Sequence, residues 1–369
     1  MRVSHKYENE RGMWNMSFNE ELLGLFEEEM GEMAQLTTLS GDLRNKIIAV
    51  YGDNGTGKTT QISRLGKLGY NVVFISLEKG LNAVSGVMNI GVKEYADVKK
   101  AVEKLTATKK GKPNKFLEML EKEPIIIVWD GIENLKTLAE KYVCGIAGVN
   151  KVGEGNKGYG LWAEYNTALK NILIPVFNEG YTNILISHPE PVTKKVGKET
   201  VTIGLDYGCE KRLKKIIKDN ADFILYVENN EPDDDGNEVL STAISRPVDG
   251  IIARTRFRYF PTEFEFTAEN LMDNLKMAVE KQAEEEGVEL VSAKEQQKVY
   301  GIKEEETLED LLDDVKELLN NLEKGSKKED EALDLLEDSF GGLSLSELTN
   351  KHIPALKVFI NDLEDIIND

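Results

Sequence analysis

The sequence predicts an α/β protein: a mainly parallel sheet flanked by helices, followed by a helical, acidic C-terminal extension. Three observations carry this. Short apolar runs of the kind that form strands buried on both faces recur between Lys46 and Glu228. Helical stretches separate the first four of them, the pattern of parallel strands joined by crossover helices. Charge is uneven: residues 267–369 hold 28 acidic and 11 basic side chains, a net of −17, which leaves −3 of the chain's −20 for residues 1–266.

At 369 residues, 40% hydrophobic and 30% charged, the chain has room for two domains or one large domain with an appendage, and its composition excludes global disorder. Cys144 and Cys209 lie far apart without CxxC spacing. Neither a disulfide framework nor a structural zinc site follows, and a cytoplasmic setting is expected. No run approaches the roughly 20 apolar residues of a membrane span, and MRVSHKYENERG at the start lacks the apolar run of a secretion signal, so no membrane partner is expected.

In chain order, residues 1–42 predict one amphipathic helix, about Asn19 to Leu36, with Leu22, Leu23, Leu25, Phe26, Met30 and Met33 opposite a row of glutamates. The strands follow within a core of 43–266: IIAVYG (47–52), NVVFISLE (71–78), PIIIVWDG (124–131), TNILISHP (182–189) and ADFILYVE (221–228). Residues 238–266 predict hairpin strands that finish the sheet. The extension, 267–369, predicts one helix from Leu308, Leu311, Leu312, Val315, Leu318, Leu319 and Leu322, with Thr307 and Asp310 at capping-box spacing. A second apolar stripe runs through Leu356, Phe359, Ile360, Leu363, Ile366 and Ile367. Ser344 and Glu347 are spaced to cap a short turn before it, and GSKKEDE (325–331) reads as a linker.

Chemistry concentrates at Gly52, Asp53, Asn54, Gly55, Thr56, Gly57, Lys58 and Thr59, which match GxxxxGK[ST] directly after the first strand and before a helix opening with Thr59 and Thr60. In that context backbone N–H groups close around phosphates, Lys58 adds positive charge, and the Thr59 hydroxyl is placed for Mg²⁺, so ATP and Mg²⁺ are the expected ligands. The second metal-side group is Asp130, where a carboxylate ends the apolar run 125–129 and needs a cation or donors to be buried. Hydrolysis also requires a group that orients or deprotonates water. Glu78 ends NVVFISLE, a strand expected to neighbour the first one, and Glu133 is its rival. His188 ends NILIS, and its imidazole can donate to a γ-phosphate oxygen.

Taken in order, FISLEKGLN (74–82), IIIVWDGIENL (125–135) and ILISHPEP (184–191) resemble the catalytic-glutamate segment, second Walker motif and γ-phosphate-sensing strand of RecA-type recombinases. With the P-loop they make residues 43–266 similar to phage RecA-like ATPases of the single-strand annealing and recombination group; RecA itself carries glutamine where this chain has His188. The resemblance implies a RecA-type P-loop core, ATP hydrolysis stimulated by DNA, and work in phage recombination, annealing or replication within a host cytoplasm. It also implies single-stranded DNA as partner and a homo-oligomeric ring or filament. Two DNA-contacting loops fall, on this resemblance, at 144–162 and 189–218. The first has six glycines with Lys151, Lys157, Tyr159 and Trp162, and mobility is expected of it. The second sets Lys194, Lys195, Lys198, Lys211, Arg212, Lys214, Lys215 and Lys218 against four acids, a net of +4. A basic path with aromatic residues is independently what holds single strands without sequence preference. Arg254, Arg256 and Arg258 alternate, so a strand would present them on one face. The resemblance implies that Arg254 or Arg256 reaches a neighbouring subunit's nucleotide. The acidic extension is expected to meet a replication or recombination protein or to compete with DNA. A replicative motor or loader, and a non-enzymatic nucleotide-gated interaction protein, are the alternatives.

Overall fold

The computed structural model describes residues 39–368 apart from 82–83, 107, 110–111, 198, 233–238, 293–306 and 324. The expected helix at about 19–36 lies outside them, as does Lys198.

Six parallel strands form the body of the sheet: β1 (Ile47–Gly52), β2 (Asn71–Ser76), β3 (Met88–Gly91), β4 (Ile125–Asp130), β5 (Thr182–Ser187) and, after the separate antiparallel hairpin β6 (Pro189–Val196) and β7 (Glu199–Tyr207), β8 (Phe223–Glu228). As predicted, short strands from 238–266 finish it antiparallel: β9 (Thr242–Ile244), β10 (Arg254–Thr255) and β11 (Glu263–Glu265). The order is β11-β9-β8-β1-β5-β4-β2-β3, with β10 also paired to β8.

The strand expected to lie next to β1 does not: β5 and β4 separate β2 from it. Burial explains the order. β1, β4 and β5 are buried at all six positions, whereas β2 exposes Asn71 and β3 is largely exposed, so strands apolar on both faces take the centre.

Side chains alternate between two core layers, Ile47, Ala49 and Tyr51 of β1 entering one and Ile48 and Val50 the other. The first layer is covered by α2 (Tyr95–Thr106), α3 (Lys115–Lys122), α4 (Leu135–Ala147), α5 (Trp162–Asn178) and α6 (Lys211–Asn220), which follow α1 (Lys58–Arg64) in the chain. The second is covered by α1 and by α7 (Ala268–Glu286), whose Leu271, Leu275, Ala278 and Val279 pack with Ile62, Leu65 and Phe74. The chain divides into two compact units, one ending at Ile302 rather than at 266, since the helix after Thr267 buries its apolar stripe on the sheet, and a second that takes Ala107–Asn114 and Lys303–Asp369.

Within the second unit α8 (Leu308–Asn320), α9 (Lys327–Phe340) and α10 (Ile353–Asn368) pack around Leu311, Val315, Phe340, Leu356, Phe359 and Leu363. Thr307 and Asp310 form the expected capping box, and Ser344 with Glu347 caps a 3-10 turn. Residues 325–331, read as a linker, instead start α9, because the Ser326 hydroxyl accepts from Glu329 N–H and caps it. No helix among the described residues is long and apolar enough to cross a membrane.

Candidate active site

The phosphate loop leaves β1 at Gly52, where a Cβ would collide with the Val227 carbonyl of β8. Gly55 and Gly57 take left-handed conformations, φ 85° and 75°, that L side chains resist. The loop turns straight into α1. Lys58 Nζ donates to Gly52 O (2.6 Å), Asp53 O (2.8 Å) and Thr56 Oγ1 (3.2 Å), which folds its side chain back over the loop. Burial pushes its ammonium below the usual lysine range, opposed chiefly by Asp53. Asp53, Asn54 and Gly55 are exposed at the loop's crest, and Thr60 lies exposed one residue past Thr59.

Asp130 ends β4 and is wholly buried; its Oδ1 accepts from Thr59 Oγ1 at 3.2 Å, while Oδ2 has no hydrogen-bond partner among the described residues. Burial first, then the neighbouring Glu78 charge, push its carboxyl up to about 6. A hydroxyl oxygen beside an under-satisfied carboxylate oxygen is a hard donor set that fits Mg²⁺. Two glycines make room for Glu78. At Gly131, φ 74°, a Cβ would lie 2.6 Å from Glu78 Cγ, and at Gly80 a Cβ would lie 2.7 Å from Asp130 Oδ2 and 3.5 Å from Glu78 Oε1. The two carboxylates thus converge across space that any side chain would fill, although β2 does not adjoin β1. Strand pairing does this directly: β2 lies against β4 with Ser76 opposite Asp130.

His188 follows β5. Its Nδ1 lies 2.6 Å from Glu133 Oε1, and its Nε2 lies 2.8 Å from Asn54 Oδ1 in the phosphate loop. Ligating atoms of Glu78, Glu133 and His188 all fall within 4.8 Å of one another. Sequence reasoning brings Glu78, Asp130, His188 and the loop together but misses the His188–Glu133 and His188–Asn54 pairs. The available signal was spacing: Glu133 sits in the 3-10 turn Ile132–Asn134, separated from Asp130 only by Gly131, which keeps it at the same end of the strand.

Arg254 and Arg256 lie elsewhere. β10 pairs with Phe223 and Ile224, at the start of β8, whereas the phosphate loop lies beyond the end of β1; parallel pairing sets these at opposite edges of the sheet. Arg254 donates to Lys218 O (2.9 Å) and Ala221 O (3.0 Å), and Arg256 to Asp219 O (3.1 Å), so both guanidiniums satisfy carbonyls at the end of α6. A reach toward another copy's nucleotide would require giving these bonds up. The three arginines do not share a strand face either. Only Arg254–Thr255 is extended; Phe257 stacks on Phe223 (5.0 Å between centroids) and Phe260 packs beside it, which turns the chain inward.

The glycine-rich segment 144–162, expected to be mobile, folds into two 3-10 turns, Val152–Glu154 and Asn156–Gly158, pinned by buried Val152 and Leu161 and a Leu161 N–H to Val152 O bond of 2.8 Å. Tyr159 is 83% exposed, and Trp162 packs under the Arg212 guanidinium, 4.5 Å from its ring centroid. Three of the expected basic residues that the structure describes pair with carboxylates: Arg212 with Glu210, Lys214 with Glu190 and Asp206, and Lys215 with Asp219.

The family model described as an AAA domain matches residues 44–257. The chain is 32% identical over 335 residues to the SPbeta prophage-derived uncharacterized protein YorG of Bacillus subtilis (strain 168), covering 90% of this chain and 97% of that protein. Similar solved structures include the RadB recombinase, with 16% identity, TM-score 0.33 and coverage of 66% of this chain and 94% of that one. An ATPase of the type III secretion system of pathogenic bacteria also matches, at 10% identity and TM-score 0.33, over 92% and 88% of the two chains. The family match runs from just before β1 through the phosphate loop, Asp130 and His188 to Phe257: the chain belongs to the AAA domain family of P-loop ATPases.

Proposed function

We propose that this ATPase binds single-stranded DNA and couples ATP turnover to that binding in phage recombination, annealing or replication. In this reading Lys58 neutralises phosphate charge, and Thr59 and Asp130 hold Mg²⁺, which when bound withdraws charge from the phosphate oxygens. Glu78 orients the attacking water and accepts its proton, and His188 faces the terminal phosphate.

The observation that carries the DNA reading is the surface beside this site. The β6–β7 hairpin leaves directly from His188 with Lys194 and Lys195 exposed along it. Beside it, the cation–π contact of Arg212 with Trp162 joins the start of α6 to the segment that holds exposed Tyr159, Lys151 and Lys157. Aromatic faces next to lysines match what a flexible polyanion with stacking bases requires. The prophage origin in the YorG name supports the phage setting.

The test is titration of a fluorescent single-stranded oligonucleotide with ATP or a non-hydrolysable analogue present. Affinity is expected to fall as salt rises, and Tyr159→Ala is expected to lose about ten-fold, within the roughly 1–3 kcal/mol of one stacked base. Absence of salt-sensitive binding by the folded, nucleotide-loaded wild type would sink the proposal.

A further inference from the structure

By sequence Glu133 and Glu78 compete for one role, and the geometry separates them. We propose that Glu133 is a positioning residue that holds the His188 imidazole with Nδ1 protonated and Nε2 directed to the phosphate loop. A carboxylate only accepts, so the 2.6 Å contact from Glu133 Oε1 places a hydrogen on Nδ1. The same oxygen accepts the His188 backbone N–H at 3.2 Å, so ring and main chain are held from one point. On its other side Nε2 meets the Asn54 side-chain amide at 2.8 Å; with the proton on Nδ1 a neutral ring accepts there from the amide NH₂, the amide being turned so that its nitrogen faces the ring, and contacts at both nitrogens fix its rotation. The His188 carbonyl is held too. It accepts from Gly208 N–H at 2.7 Å, at a glycine where a Cβ would sit 2.8 Å from that carbonyl oxygen.

A general base needs an oxygen open to water. Glu133 Oε1 is occupied, and Oε2 is buried without a hydrogen-bond partner among the described residues. The ring itself is 36% exposed, so water competes for its nitrogens unless Glu133 orients it. The carboxylate therefore acts on His188 as the buried acid of a hydrolase triad acts on its histidine, selecting tautomer and orientation without touching the reacting atoms.

The consequence for turnover rests on His188 facing the nucleotide, as proposed above; the pairing itself can be read separately. The full chain is labelled with ¹⁵N-histidine, and His188→Gln assigns one of the three histidines. Nδ1 of His188 is expected to carry a proton in the wild type and in Glu133→Gln, whose amide oxygen still accepts, and to lose that preference in Glu133→Ala. In steady-state ATP hydrolysis, Glu133→Ala is expected to lower kcat about ten-fold with KM little changed. Glu133→Gln is expected to recover most of that loss, and Glu133→Ala is expected to add nothing in a His188→Ala background. An unprotonated Nδ1 in the wild type overturns the proposal, as do histidine signals unaltered by Glu133→Ala. A Glu133→Gln enzyme as inactive as Glu78→Gln would make Glu133 a base instead. A Glu133-dependent Nδ1 proton with unaltered kcat would keep the pair and refute its part in turnover. Should Glu133→Ala fail to fold, the wild-type spectrum and the Glu133→Gln rate still decide.

Discussion

Asp130→Asn is expected to stabilise the nucleotide-free protein while destroying the proposed metal site. Burial and the adjacent Glu78 raise the Asp130 carboxyl from 3.8 to about 6. A ten-fold change in proton affinity is worth about 1.4 kcal/mol, so an ionised Asp130 costs the folded state about 3 kcal/mol at neutral pH. The folded state binds the extra proton, hence its stability falls as pH rises from about 4 to about 6 and the full cost is present above that window. Asparagine removes the charge and keeps an oxygen to accept from Thr59. Its amide is aimed where Oδ2 now lacks a partner, beside Glu78. At about 2 °C per kcal/mol for a domain of this size, the melting temperature should rise about 6 °C at pH 7.5. The assay is thermal and urea unfolding of both proteins with chelator and without nucleotide, from pH 4 to 8. The gain should be small near pH 4, grow through pH 6 and then level, and reverse when Mg²⁺ and ATP stabilise only the wild type. A difference that is flat with pH, or a destabilised variant at pH 7.5, would refute the reasoning.

Two further outcomes follow from the same geometry. Gly131→Ala places a methyl within 2.6–2.9 Å of Glu78 Cγ, Cδ and Oε2 at φ 74°; displacing Glu78 should cut ATP turnover at least ten-fold while nucleotide affinity changes little, and turnover near wild type would show that Glu78 is not the base. Removal of residues 303–369, which hold 20 acidic and 7 basic side chains for a net of −13, should tighten single-stranded DNA binding at low salt, with the gain shrinking as the Debye length falls to about 8 Å; a folded truncation with unchanged affinity would exclude competition by the tail. Truncation after Phe266 is unsuited to that measurement, because it strips Leu271, Leu275 and Val279 from the core and should unfold the ATPase unit.

What the sequence by itself determined is local. The phosphate loop is one contiguous stretch whose glycines, lysine and threonine dictate their own backbone path between a strand and a helix. Asp130 was legible because a carboxylate at the end of five buried apolar residues has few solvated alternatives. The caps at Thr307 and Ser344 were legible because a side chain reaching three residues along needs no tertiary partner. The cap at Ser326 carried the same signal but was hidden by the charged composition of 325–331. Strand order was decided only by the folded chain, since apolar runs of equal length compete for the centre of a sheet and total burial across both faces settles the contest. The same holds for His188, whose partners Glu133 and Asn54 lie 55 and 134 residues away, and for Arg254, which meets the last carbonyls of α6. It holds as well for α7, whose apolar stripe reads alike whether it covers this sheet or heads a separate bundle. Periodicity states that a face will be buried; the partner that buries it is chosen by competition among all faces of the chain, a tertiary free energy that no local pattern contains.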